Sequence, residues 1–260
     1  MKHAILAATL IASFVTVPVQ GAHAEEGGRF SLETGMDYNT GKYGGTQSTE
    51  IRYVPVTGKY QGKSWTLKLT VPYLQITGPD NVITGVGVTG TATGTRSTRS
   101  GLGDMIVAAT NNVYYGGPAG LIVNLTGKVK LGTASSNGGY GLGTGKNDYS
   151  FQSDLFQVTE DFTTFGSLGY KFLGSPAGYT LNNIFYGSLG GSYKFTQETS
   201  GGLMFNLGQK TSATGSPHQE AILFVSQKLS KDWKAQGYVL QGFTNAVPDF
   251  GAGATVAYLF

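Results

Sequence analysis

The sequence contains no cysteine. Disulfides and thiolate metal sites are therefore excluded, and the fold must be held by burial and backbone pairing alone. Charge is scarce, at 13% of residues, and nearly balanced, with 18 basic side chains against 15 acidic ones. That balance argues against a nucleic-acid partner. Histidine is limited to His3, His23 and His218, so metal clusters and His-dependent catalysis have little to draw on. After residue 24 no run of 18 consecutive apolar residues occurs, so a chain that crosses a membrane must do so with strands.

At the amino end, Lys2 precedes an uncharged apolar stretch from Ala4 to Val19 and the small-residue pattern Ala22-His23-Ala24. This has the three parts of a secretory signal peptide, and the stretch is short and interrupted by Pro18 for a spanning helix. Cleavage would leave Glu25 first. The expected organisation is a signal peptide over 1–24 and a single domain over 25–260. Losing Lys2 lowers the formal net charge of +3 by one.

The remainder is rich in glycine and aromatics, with 41 Gly and 15 Tyr among 260 residues, a profile unsuited to helix. A period-2 pattern runs through it, apolar side chains on one parity and polar ones on the other. Trp65, Leu67, Leu69, Val71 and Tyr73 oppose Thr66, Lys68 and Thr70; Leu121, Val123, Leu125 and Val129 oppose Asn124, Thr126, Lys128 and Lys130. Twelve strands are expected, at 29–40, 48–60, 65–76, 102–114, 119–132, 147–160, 164–174, 182–195, 199–210, 218–229, 233–243 and 249–260, with ten to fourteen as the range. Tight turns alternate with longer loops, the longest over 77–101. The chain ends Val256-Ala257-Tyr258-Leu259-Phe260, with large apolar groups at alternate positions and a terminal aromatic.

These features predict an all-β, antiparallel transmembrane β-barrel in a bacterial outer membrane, its termini on the turn side. Hydrocarbon offers no hydrogen-bond partner, so the sheet must close without an edge. A soluble sandwich would alternate similarly, but its strands would be shorter and would not account for nearly the whole chain. Phe30, Tyr53, Trp65, Tyr73, Tyr170, Tyr193 and Tyr258 are expected in interfacial girdles.

Ser48-Thr49-Glu50-Ile51-Arg52-Tyr53-Val54-Pro55-Val56-Thr57-Gly58-Lys59-Tyr60, Leu69-Thr70-Val71-Pro72-Tyr73, Gly101-Leu102-Gly103-Asp104, and Leu131-Gly132-Thr133 leading to Gly141-Leu142-Gly143-Thr144-Gly145 resemble a family of proteobacterial outer-membrane proteins known as transporter-like or MetA-pathway of phenol degradation. The resemblance covers most of the chain after residue 24. It implies a barrel that passes small, including aromatic, compounds, and it transfers no substrate residue.

Lumen-facing candidates follow from the polar parity: Glu33, Asp37, Glu50, Arg52, Lys68, Lys128, Lys130, Asp154, Lys171 and Lys194. Asp104, Asp148, Lys210, Glu220 and Lys228 share that parity. Such a wall is mixed in sign, with a basic strip tempered by ion pairs. It predicts a channel or facilitator with a slight preference for anionic or polar small solutes; the competing expectation is charges that only satisfy one another inside a narrow barrel. Val256, Tyr258 and Phe260 are the expected assembly signal for periplasmic chaperones and the barrel-assembly machinery. Outer-membrane lipid and small solutes complete the expected partners.

No cofactor is expected. Gly85-Val86-Gly87-Val88-Thr89-Gly90 has dinucleotide-loop spacing but lacks the strand and helix such a loop needs, and Gly143-Thr144-Gly145-Lys146 matches a phosphate loop only in part. Two alternatives to a channel are a lipid-modifying hydrolase built on His218 with Glu220 and nearby Ser216 or Ser226, and a structural or adhesive surface barrel. The 77–101 loop is read either as an inward constriction or as an external loop.

Overall fold

The computed structural model describes residues 28–79, 82–83, 87–88, 95–116, 120–134, 142–176 and 180–260. The expected signal peptide lies outside them. The strands are β1 (Arg29–Gly41), β2 (Thr49–Gln61), β3 (Trp65–Pro79), β4 (Val82–Ile83), β5 (Gly87–Val88), β6 (Arg96–Leu102), β7 (Ile106–Gly116), β8 (Leu121–Lys130), β9 (Asp148–Val158), β10 (Phe162–Phe172), β11 (Ile184–Lys194), β12 (Thr199–Gly208), β13 (His218–Lys228), β14 (Trp233–Gly242) and β15 (Phe250–Leu259).

Neighbours are antiparallel throughout, and β15 returns to β1 with Ser31 opposite Leu259 and Thr40 opposite Phe250. The sheet is closed. β4 and β5 form a separate short ribbon.

β6 and β7 are two halves of one wall strand. β6 pairs with the outer part of β3, from Tyr73 opposite Leu102 to Pro79 opposite Arg96. β7 pairs with the inner part, from Trp65 opposite Asn111 to Thr70 opposite Ile106. Counted as one, they give twelve wall strands, with the fourth broken at Gly103-Asp104-Met105 rather than continuous over 102–114. Pro72 sits opposite the break and has no N–H for the ladder; Gly103 donates to its carbonyl at 2.9 Å. The stretch expected as a loop over 77–101 thus begins and ends in strand. Its hydroxyl-rich return, Arg96-Ser97-Thr98-Arg99-Ser100, carries no apolar alternation that would have marked it.

Register assigns the faces. Leu67, Leu69, Leu125, Phe151, Leu155, Leu168, Leu189, Leu203, Phe205, Leu223 and Val225 are all exposed on the outer wall. A continuous apolar belt of this kind far exceeds the few hundred Å² that water-soluble surfaces tolerate, and it fits lipid. Tyr170 packs on Phe172 and Phe185 at one rim, with ring centroids 5.0 and 4.7 Å apart. At the turn-side rim, Trp233 and Phe260 pack on Tyr258, both at 4.9 Å. Tyr53 departs from the expected girdle: it stands on the inner face, opposite Asp37.

Among the described residues, two apolar clusters lie inside the wall. The larger joins Ile122, Phe156, Val158, Phe165, Met204, Ile222, Phe224, Tyr238 and Leu240. The smaller, at the loop-side mouth, joins Tyr43, Ile51, Leu74, Ile76 and Leu142.

Candidate solute path

Because wall strands are tilted, residues paired across strands form inclined rows on the inner face. One row is basic: Lys59 faces Lys68, Lys68 faces Ala108, Ala108 faces Lys128, Lys128 faces Ser150, and Ser150 faces Lys171. Among the described residues, no carboxylate lies within ion-pair distance of Lys59, Lys68 or Lys171. Lys171 Nζ stands 5.3 Å from the centroid of the Tyr186 ring, a cation–π geometry.

Beside the lysines runs a hydroxyl and amide row of Thr66, Thr110, Thr126 and Gln152, in which Thr110 and Thr126 share a 2.9 Å hydrogen bond. The next row holds Asn112, Asn124, Asp154, Ser167, Ser188, Asn206 and Glu220. Asn112 donates to Asn124 at 2.9 Å and Asn206 to Glu220 at 2.8 Å. The row after that is apolar: Ile122, Phe156, Phe165, Gly190, Met204, Ile222 and Leu240. The inner wall is therefore amphipathic, a charged and polar ramp bordered by a greasy one.

Glycine shapes the apolar ramp. A Cβ on Gly190 would stand 2.6 Å from the Phe165 ring, and one on Gly202 2.8 Å from the Phe224 ring. With hydrogen in those places the two rings lie along the wall, their centroids 6.5 Å apart although two strands separate them.

Lys130 belongs to a different arrangement. Its ammonium pairs with Asp104 at 2.8 Å and Asp148 at 3.3 Å, all three side chains being buried. It also donates to Thr144 Oγ1 at 3.2 Å and to the Lys146 carbonyl at 3.1 Å. Asp104 accepts from the Ala134 N–H, Met105 N–H donates to Thr133 Oγ1, and Gly132 N–H donates to Asn147 Oδ1, each at 2.9 Å. A Cβ on Gly143 would come within 2.6 Å of Asp104 Oδ2, and one on Gly132 within 2.6 Å of the Gly145–Lys146 backbone. The Gly-Leu-Gly-Asp step, Leu131-Gly132-Thr133 and the described part of the second glycine-rich stretch thus meet in one knot that ties the break in the fourth strand to the β8–β9 loop.

The predicted lumen residues divide accordingly. Glu33, Asp37, Lys68, Lys128, Asp154, Lys171 and Lys194 lie on the inner face; Asp37 accepts a 2.9 Å hydrogen bond from Tyr238, and Gln152 donates to Asp154. Lys130 is inward but fully engaged in the knot. Glu50 and Arg52 are a correction: both face outward, Arg52 opposite Tyr38 and donating to Gln75 at 2.7 Å, Glu50 ion-paired with Arg96 at 2.8 Å. Their parity was ambiguous because β2 carries apolar residues on both faces. Near the loop-side rim, Ile51 fills the interior while outward charge reaches headgroups and water, where the penalty for Arg falls to about 0–1 kcal/mol. Sequence reasoning missed Lys59, directly across from Lys68, and Lys234, across from Lys228. Val256 and Tyr258 face outward on the closing strand, and the Phe260 N–H donates to the Phe30 carbonyl at 2.9 Å.

His218 Nε2 lies 3.3 Å from Glu220 Oε1. Among the described residues no serine hydroxyl is hydrogen-bonded to it, and no group of three His, Asp, Glu or Cys side chains is placed to hold a metal.

Loops fold in at the mouth. Leu142, Leu181, Ala246 and Val247 are buried, and so is Tyr43. Tyr43 and Gly44 occupy a turn with φ of 47° and 80°, closed by Gly45 N–H donating to the Lys42 carbonyl at 2.7 Å. Two positive φ values mark a type I′ turn, a position favouring Asn or Gly. A left-handed residue with a side chain costs roughly 1–2 kcal/mol. The Tyr43 hydroxyl is buried without a hydrogen-bond partner among the described residues, a further cost of about 1–3 kcal/mol. Burial, with Asp249 and Glu220 in electrostatic reach, pushes this phenol above its ordinary range. The tip of the 77–101 stretch lies outside the described residues apart from β4 and β5, as do most of the dinucleotide-like glycines.

Residues 24–260 match the model of the family described as "Putative MetA-pathway of phenol degradation". The chain belongs to this family. Among solved structures, this member of the phenol-degradation family is similar to an outer-membrane channel from Pseudomonas putida F1, at 13% identity and TM-score 0.68 over 92% of this chain and 98% of that one. It is also similar to the NanC porin, at 12% identity and TM-score 0.55 over 87% and 98% of the two chains, and to the KdgM porin, at 12% and 0.53 over 88% and 98%. At these identities the likeness establishes the barrel fold. No curated protein matches the sequence.

Proposed function

We propose that the barrel is an outer-membrane channel for small solutes, one that favours anions, accepts aromatic bodies and performs no covalent chemistry. The observation that carries this reading is the inner wall, where Lys59, Lys68, Lys128 and Lys171 run as one row and an apolar ramp lies three rows away. The two rows are about 20 Å apart along the strands, so a passing solute meets them in turn: the lysines draw its carboxylate, and its ring or chain rests on Phe156 and Phe165. Glu33 and Asp154 moderate the field, so the preference is modest. The similarity to proteins described as channels and porins supports the same reading. His218 lacks an adjacent nucleophile among the described residues, which leaves the hydrolase alternative without an observation in its favour.

The test is planar-bilayer conductance of the protein lacking residues 1–24, with reversal potentials in a KCl gradient and liposome swelling across benzoate, acetate, glucose and arginine. Anion-selective current and faster entry of the carboxylates are expected. Cation selectivity would overturn the anion preference, and folded barrels that pass neither ions nor solutes would overturn the channel.

A further inference from the structure

The turn between β1 and β2 places an aromatic side chain where its backbone and its hydroxyl are both ill served. Tyr43 sits at the first left-handed position of the turn, and its side chain reaches into the loop-side mouth against Ile51 of β2, Leu74 and Ile76 of β3, and Leu142 of the β8–β9 loop. It is 2% exposed. Asp249 and Glu220, from the β13–β15 side of the wall, lie within electrostatic reach of its hydroxyl. The ring is thus enclosed inside the mouth, between the β2–β3 wall and the infolded β8–β9 loop. Strain without a stabilising partner is the mark of a group kept for its position.

We propose that Tyr43 is the size-selecting residue of the channel, a phenol ring lodged across the external entrance that must swing outward before a solute reaches the lysine row. The inference rests on the channel reading. Gly44 and Gly45 follow it directly, so the turn can relax when the ring leaves, and the pocket it vacates is lined by aliphatic side chains suited to the apolar end of an entering solute. The ring, not the hydroxyl, does the closing, since the hydroxyl holds no hydrogen bond among the described residues.

Full barrels carrying Tyr43→Ala and Tyr43→Phe would be compared with wild type in planar bilayers, with heat-modifiable migration confirming that each has folded. Tyr43→Ala is expected to raise unitary conductance or open probability several-fold and to extend liposome swelling to larger solutes. Tyr43→Phe should keep wild-type conductance. Equal conductance in wild type and Tyr43→Ala, both conducting, overturns the gate and leaves the channel reading standing. A rise in Tyr43→Phe as large as in Tyr43→Ala overturns the claim that the ring closes the entrance. Silence in all three folded proteins removes the channel reading and the gate together.

Discussion

At the scale of single residues, lysines on the same inner face have different work. Lys130 is bound by two carboxylates, a hydroxyl and a carbonyl, so its charge is spent on structure; Lys68 has no carboxylate at ion-pair distance among the described residues. Replacing Lys130 by Met would leave Asp104 and Asp148 buried and close together. Removing one partner of a buried ion pair costs about 3–5 kcal/mol. Urea-induced unfolding in lipid vesicles should show a loss of that order, while ion selectivity in surviving channels stays near wild type. Lys68→Gln should do the reverse, lowering the anion-to-cation permeability ratio severalfold at unchanged stability. Arg52→Ala provides the contrast: an outward side chain bonded to Gln75 should change neither quantity measurably, and a clear selectivity change there would mean that the inner and outer faces of β2 have been assigned the wrong way round.

At the scale of elements, strands with one clean apolar parity were legible and strands with mixed parity were not. β8 to β13 follow the alternation of Leu125 against Thr126 or Phe151 against Gln152, and their bounds differ from expectation by two residues or fewer. β2 misled because Ile51 and Val54 are apolar on opposite faces, which put Glu50 and Arg52 on the wrong side. The fourth strand was read as continuous because a missing N–H at Pro72 acts on its neighbour, a non-local effect that no periodicity reports. The motifs that carried the family resemblance were visible, but their meeting around Lys130 required the chain to close. For the last strand, alternation and the terminal aromatic pointed to one end of the seam, and the Phe260 N–H bonded to Phe30 supplies the other. Deleting Phe260 removes that closing bond and the outward aromatic packed on Tyr258. Outer-membrane levels of folded protein, judged by heat-modifiable migration, should fall severalfold; unchanged levels would show that β15 closes and is recognised without it.

At the scale of the whole molecule, twelve strands enclose an interior between the filled lumen of eight-strand barrels and the open channel of sixteen-strand porins, so the placement of inner side chains decides how much of it conducts. Rings could stand into that space or lie along its wall, and inward glycines settle which. Tyr186 is the informative case: a Cβ on Gly169 would stand 2.5 Å from its ring, and the three nearest atoms all belong to that side chain. Lying over Gly169, the ring comes to 5.3 Å from Lys171 Nζ, so one glycine sets both the clearance of the path and the position of a row lysine. Gly169→Val should lift Tyr186 off the wall and into the lumen. Because a flexible side chain yields rather than backbone, the barrel should still fold, with unitary conductance clearly reduced and anion preference retained, since the lysines remain. The double variant Gly169→Val with Tyr186→Ala should restore conductance by removing the displaced ring. Failure of that rescue would show that valine narrows the path by itself or through the sheet, and the account of glycines as seats for inward rings would fall.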